Sequence, residues 1–191
     1  LAVQKVLFGP GPAPRHLLTL GNEPSARLFG IPNPLADPVV LRGEVGPVII
    51  GMAVSADGQW VATASADDAK LALWSAADPR RPQHELPLPS PSHAIAFSAD
   101  GKLAYVVTRN RKHTRAALYE VQLTGSRQVR SHEFSTNSLL SGVAVASSAG
   151  KVFVSDAGQK QVHVLRLADL KPTDPISLPK STPGPLAVSQ D

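Results

Sequence analysis

Gly51-Met52-Ala53-Val54-Ser55-Ala56-Asp57-Gly58 is the stretch that decides the fold, because the chain repeats it. It returns as Ala94-Ile95-Ala96-Phe97-Ser98-Ala99-Asp100-Gly101 and, altered, as Gly142-Val143-Ala144-Val145-Ala146-Ser147 with Gly150 after it. A last copy begins at Pro185-Leu186-Ala187-Val188-Ser189. Equivalent positions in successive copies lie 43, 48 and 43 residues apart. A period of about 40 to 50 residues built from short strands is typical of a β-propeller, in which each repeat forms one blade.

Each copy before the last is followed by segments that predict three more strands. In the second repeat an apolar run ends at Val54 and suits an inner strand, and Gly58 supplies the φ > 0 conformation of the turn after it. The alternating side chains of 70–74 predict a half-buried strand, and the prolines around 79–82 precede an outer, edge strand. The predicted blades span about 1–42, 45–88, 92–135 and 139–180, with a partial blade at 184–191.

We therefore predict an all-β chain that forms a single β-propeller segment over residues 1–191, with four four-stranded blades and the inner strand of a fifth. An inner strand without the rest of its blade would leave its ladder groups unpaired. The expectation is thus part of a larger propeller of seven or eight blades, or a half that another chain completes.

The composition is that of a globular chain without cysteine chemistry. Hydrophobic residues make up 42% of the sequence, and the cysteine count is 0, which excludes disulfides and Cys-ligated metals. Both an exported (periplasmic) and a cytoplasmic location stay open, because neither requires cysteine. No apolar run approaches the roughly 18–20 residues that a transmembrane helix needs, so no membrane span is predicted.

The second repeat resembles a bacterial WD40 repeat. The family pattern is a Gly-His pair, a Ser-Pro-Asp-Gly-like turn, a Ser/Thr and an Asp in the middle, and a closing Trp-Asp; here Glu44 replaces the His and Ser75 follows Trp74. The resemblance implies that Ser65 and Asp67 (or Asp68) take the Ser/Thr and Asp positions of a hydrogen-bond network that ends at Trp74. Without the His, it implies that this network is incomplete.

The third and fourth repeats are similar to a second type of bacterial propeller, the YVTN type. The residues that carry this similarity are Asp100-Gly101-Lys102-Leu103-Ala104-Tyr105-Val106-Val107-Thr108 and Lys151-Val152-Phe153-Val154-Ser155-Asp156. WD40 and YVTN propellers usually have seven blades, so both resemblances imply further blades.

The most distinctive chemical feature is the loop Arg109-Asn110-Arg111-Lys112-His113-Thr114-Arg115, between the second and third strands of its blade. Such loops open on one rim of a propeller. One interpretation is an anion-binding or protein-docking lip for an acidic peptide, a phosphate or a nucleic acid. The other is a solvated loop whose charge keeps the chain soluble. No aromatic residue interleaves with the charges, which argues against a stacking platform for single-stranded nucleic acid and favours a protein partner over nucleic acid. The candidate partner-binding residues are Arg109, Arg111, Lys112, His113 and Arg115.

Catalytic and metal motifs are not found in the sequence. The six histidines lack the spacing of a metal pair, so we predict no metal ligand, no cofactor and no catalytic residue. The sequence favours a non-enzymatic propeller scaffold that holds a protein partner on its rim. Two alternatives stay open: a periplasmic YVTN-type propeller that is enzymatic or redox-associated, like a lactonase or quinoprotein subunit, and a structural part of a composite propeller in a large assembly.

Overall fold

The computed structural model describes residues 3–8, 16–21, 25–30, 39–42, 49–65, 69–110, 112, 114–123 and 127–188. All regular structure in these ranges is β-strand, in four antiparallel sheets of four strands each. The first blade consists of β1 (Val3–Phe8), β2 (His16–Gly21), β3 (Ser25–Gly30) and β4 (Val39–Arg42). The second consists of β5 (Ile49–Val54), β6 (Trp60–Ser65), β7 (Lys70–Ser75) and β8 (His84–Pro87).

The other two blades have the same plan. Blade 3 consists of β9 (Ser92–Phe97), β10 (Leu103–Arg109), β11 (Ala116–Gln122) and β12 (Arg127–Glu133). Blade 4 consists of β13 (Leu140–Ala146), β14 (Lys151–Asp156), β15 (Gln161–Arg166) and β16 (Ile176–Ser177). In every sheet the strands pair in chain order. The prediction of an all-β fold with four four-stranded blades is confirmed.

The repeated stretch closes the turn between the first two strands of a blade through its own side chains. The Ser55 hydroxyl donates to Asp57 Oδ1 at 2.5 Å and accepts from the Trp60 amide at 2.9 Å. The Gln59 amide donates to the same Oδ1 at 3.0 Å, and Gly58 has a φ of 69°. A side chain at position 58 would be strained in this left-handed conformation, which explains the Asp-Gly pair.

Blade 3 repeats this turn, and blade 4 keeps only part of it. Ser98 donates to Asp100 Oδ1 at 2.6 Å and accepts from the Leu103 amide at 3.0 Å. In blade 4, which has no Asp at the equivalent position, Gly150 still has a φ of 62°, and its amide donates to the Ser147 carbonyl at 3.1 Å. Glycine and backbone hydrogen bonds are therefore sufficient to close the turn.

The hydrophobic core lies between blades. Because side chains alternate along a strand, each sheet presents one set to the preceding blade and one to the following blade. In blade 3, Val106 packs with Leu71 and Leu73 of blade 2, whereas Val107 packs with Val152 and Val154 of blade 4. A third cluster joins blades 1 and 2. Each blade is thus stabilised by its neighbours.

One buried hydrogen bond involves Trp74, the residue that ends the network implied by the WD40 resemblance. The Trp74 indole Nε1 donates to Thr63 Oγ1 at 2.9 Å. The register explains this, because Trp74 pairs with Val61, and Thr63 is only two residues further along β6 whereas Ser65 is four. Glu44, Asp67 and Asp68, the other positions of that network, lie outside the described residues.

The segment expected to form the inner strand of a fifth blade, from Pro185 to Ser189, forms no strand over its described residues, 185–188. An inner strand obtains its ladder from the second strand of its own blade, and none of the described strands pairs with this segment. The segment packs on β13 instead. A Cβ added to Gly142 would lie 2.9 Å from the Gly184 carbonyl oxygen and 3.0 Å from the Leu186 nitrogen.

A membrane-spanning segment was not predicted from the sequence. The described part of the chain likewise contains no helix with the length and apolarity that crossing a bilayer would require.

Candidate functional site

The basic loop lies at one defined end of the blades. β10 ends at Arg109 and β11 begins at Ala116, so the loop shares its end of blade 3 with the connections that precede β9 and follow β12. We call this the upper end; the turns at 55–58 and 98–101 lie at the opposite, lower end. The loop expected on a rim therefore lies beside two inter-blade connections.

Asn110 ties the two ends of the loop together. Its side-chain Oδ1 accepts hydrogen bonds from the amides of Thr114 at 2.8 Å and Arg115 at 3.1 Å, and its Nδ2 donates to Thr114 Oγ1 at 2.9 Å. The Asn110 amide also donates to the Arg115 carbonyl at 2.9 Å. Residues 110 and 115 are thereby fixed next to each other, so the loop presents its side chains from an ordered base.

The structure separates the predicted cationic residues. Lys112 and Arg115 are exposed, and neither forms an ion pair with an acidic residue in the described ranges. Arg109 is half-buried, and its Nε is buried without a hydrogen-bond partner among the described residues. Burial lowers the pKa of the Arg109 guanidinium, while the negative charge of Asp156 in blade 4 opposes that effect. Arg111 and His113 lie outside the described residues.

Strand alternation explains this separation. Arg109 continues the face of β10 that carries Tyr105 and Val107, which pack toward blade 4. Arg115 lines a cleft on the other side of the blade, next to the connection from blade 2. Arg109 and Arg115 therefore lie on opposite sides of the blade and do not form one surface.

The cleft beside Arg115 has a volume of 510 Å³. Its polar lining residues come from three connections at the upper end and from the last residues of the strand β10: Ser90, Thr108, Asn110, Thr114, Arg115 and Thr136. Ala117 and Tyr119 contribute from β11, and Glu133 from the end of β12. Burial raises the pKa of the Tyr119 phenol; the charge of Glu133 adds to this and that of Arg115 opposes it. A cation and an anion thus lie near the same phenol.

A second polar centre joins blades 3 and 4 at the upper end. The fully buried Asp156 accepts hydrogen bonds at Oδ1 from the amides of Leu139 at 2.9 Å, Gly158 at 3.0 Å and Gln159 at 3.1 Å. Its Oδ2 lies 3.1 Å from His163 Nε2. This carboxylate therefore clamps the connection between the two blades to the turn after β14.

These partners keep Asp156 ionised. Burial acts to raise the pKa of the carboxyl, but hydrogen bonds from Ser138, His163 and backbone amides outweigh burial and hold the pKa below its usual value. The His163 ring also contacts Phe134, with ring centroids 4.6 Å apart. Burial, and to a lesser degree the charge of His163, lowers the pKa of the nearby His132. The sequence predicted only that these histidines are not metal ligands, and it gave no role between blades to Asp156.

A third polar centre is the buried Glu120 on β11. Its carboxylate accepts hydrogen bonds from Arg130 Nε at 3.0 Å, from Arg130 Nη2 at 2.5 Å and from the Tyr105 hydroxyl at 3.0 Å. Arg130 also donates to the carbonyls of Leu167, at 2.9 Å, and Ala168 in blade 4. Sequence reasoning missed this ion pair, although an acidic residue in the middle of an apolar strand was a usable signal.

In the part of the chain that the structure describes, no three His, Asp or Glu side chains come together in a way that could hold a metal ion.

Comparison with known proteins gives a structural relative but no sequence family. No family model matches the chain, and no curated protein sequence matches it. Among solved structures, the chain is similar to the β-propeller domain of Cps50 (Swd1) from Myceliophteria thermophila, with a TM-score of 0.70 and 13% sequence identity. The similarity covers 92% of this chain and 60% of that one, so the present chain spans less than two thirds of the related domain. At this identity the similarity shows the β-propeller fold.

Proposed function

We propose that this chain is a non-enzymatic, WD40-like β-propeller module that binds an acidic partner protein at the upper end of blade 3. The Ser-Ala-Asp-Gly turns and the buried Trp74–Thr63 hydrogen bond support the WD40-like assignment. The observation that carries the binding function is the loop braced by Asn110, which presents Lys112 and Arg115 without ion-pair partners among the described residues.

A rigid frame is the physical basis of this function. Paired strands and inter-blade apolar clusters fix the positions from which the loop starts and ends. Side chains displayed from such a frame lose little conformational entropy when a partner binds. Exposed cations without compensating anions attract an acidic surface and accelerate its encounter, and this effect weakens as salt rises.

Charge reversal at the upper end tests the proposal. The double variant Lys112→Glu and Arg115→Glu is compared with Arg80→Glu and Arg81→Glu, a matched pair of exposed arginines in the lower-end loop between β7 and β8. Immobilised proteins are used to capture partners at low and high ionic strength, and the captured proteins are quantified by mass spectrometry. We expect a salt-sensitive set that the wild type and the lower-end variant retain and the upper-end variant loses.

Circular dichroism spectra of all three proteins control for folding. If the upper-end variant captures the same proteins as the wild type, with the same salt dependence, the basic loop is not a partner-binding site.

A further inference from the structure

The cleft beside Arg115 has the dimensions of a ligand site. Its volume of 510 Å³ falls within the range of about 300–1,000 Å³ typical of such sites. Ala116, Ala117 and Tyr119 supply apolar atoms to the lining, and four hydroxyl-bearing residues surround them: Ser90, Thr108, Thr114 and Thr136. A mixed lining of this kind suits a polypeptide segment, which brings both apolar and hydrogen-bonding groups.

The charges around the cleft indicate which segment fits. Arg115 is exposed, forms no ion pair with a described acidic residue, and has its backbone fixed by Asn110. Glu133 is the acidic residue among those that line the cleft. A carboxylate near Arg115 would gain a charge-assisted hydrogen bond, whereas the position near Glu133 favours an N–H or O–H donor. An extended acidic peptide offers both groups, because its backbone amides alternate with its side chains.

We infer that the cleft binds an extended acidic segment of the partner, with one carboxylate on Arg115 and a backbone or hydroxyl donor on Glu133. This inference rests on the proposed function and deepens it, since it places the contact inside the cleft and not merely on the charged surface of the loop. Arg115 then binds the acidic side chain of the partner, and Asn110 is a positioning residue because its hydrogen bonds fix the backbone of Arg115.

A direct binding measurement tests the inference. The probes are a fluorescein-labelled peptide of alternating Glu and Ser and a matched peptide of alternating Gln and Ser, followed by fluorescence anisotropy. Thr136→Trp fills the cleft from its exposed edge without changing charge, and Ala77→Trp in an exposed lower-end loop is its control. Arg115→Gln removes the positive charge that would bind the carboxylate, and Arg115→Lys keeps a positive charge but not the bidentate geometry of the guanidinium.

We expect the wild type to bind the Glu peptide about tenfold more tightly than the Gln peptide. Thr136→Trp and Arg115→Gln should each weaken binding of the Glu peptide by about tenfold, Arg115→Lys by less, and Ala77→Trp not at all. Equal binding of the two peptides by the wild type overturns the inference.

The two proposals fail differently. If Thr136→Trp binds the Glu peptide as the wild type does while charge reversal at Lys112 and Arg115 still abolishes partner capture, the cleft is not the site and the proposed function stands. If neither cleft filling nor charge reversal alters binding or capture, both proposals are wrong.

Discussion

Replacement of Arg130 by methionine tests whether the ion pair inside blade 3 stabilises the fold. Arg130 on β12 and Glu120 on β11 are direct ladder partners, so the two side chains are held face to face by the sheet itself. The Glu120 side chain is 3% exposed and that of Arg130 is 33% exposed. Removing the Arg130 guanidinium takes away two of the hydrogen bonds to the buried Glu120 carboxylate and leaves the one from the Tyr105 hydroxyl.

The cost follows from this burial. Removing one member of a buried ion pair typically destabilises a protein by about 3–5 kcal/mol, because the other charge stays buried without compensation. Arg130 is one-third exposed, so water can reach part of the vacated space, and we take the lower value of about 3 kcal/mol. In a chain of this size 1 kcal/mol corresponds to about 2–4 °C in Tm, which predicts a decrease of about 6–12 °C.

Thermal denaturation followed by circular dichroism measures this decrease. The double variant Glu120→Gln and Arg130→Met should recover most of the lost stability, because it buries no charge. Arg166→Met removes an exposed ion pair with Asp169 and should leave Tm unchanged within error. The reasoning is refuted if Arg130→Met matches the wild type, or if the double variant is as unstable as Arg130→Met alone.

The Asp156 clamp, the close approach at Gly142 and the buried indole bond can each be tested. The folded-state pKa of Asp156 lies below its unfolded value, so the ionised carboxylate stabilises the fold above about pH 4, and this stabilisation is lost as the pH falls. Asp156→Asn should therefore have a lower Tm than the wild type at pH 7, and the difference in Tm should shrink in acid. Gly142→Ala should cost about 1–3 kcal/mol in urea denaturation, because the new Cβ meets backbone, whereas Gly30→Ala, with nothing within 4 Å, should cost much less. Thr63→Val should cost about 1–3 kcal/mol by leaving the Trp74 N–H without its acceptor, and an unchanged urea midpoint would contradict this.

Features that depend on neighbours in sequence could be predicted. The turn at 55–58 is closed by a serine and an aspartate two residues apart, so its geometry is contained within the repeated stretch. The strand pattern follows from the same local signals, because alternation and turn residues act over a few positions.

Contacts that depend on register could not be predicted. Glu120 faces Arg130 only because the strands pair in a register that shifts between Glu120 and Val121, and the sequence contains no mark of that shift. Asp156 receives the amide of Leu139, 17 residues earlier, because the connection between two blades passes over the turn after β14. The sequence placed Arg109 and Arg115 in one loop. The structure separates them, because Arg109 ends β10 on the face toward blade 4 and Arg115, just before β11, lines the cleft on the other side.

The inter-blade core has a consequence for how this protein unfolds and diverges. The apolar face that protects Val106 belongs to blade 2, and the one that protects Val107 belongs to blade 4. A single blade in isolation would expose both faces, so the stability of each blade is coupled to that of its neighbours. Amide protons of neighbouring blades should therefore exchange with deuterium at linked rates. A substitution in a central strand is therefore constrained by packing on two sides.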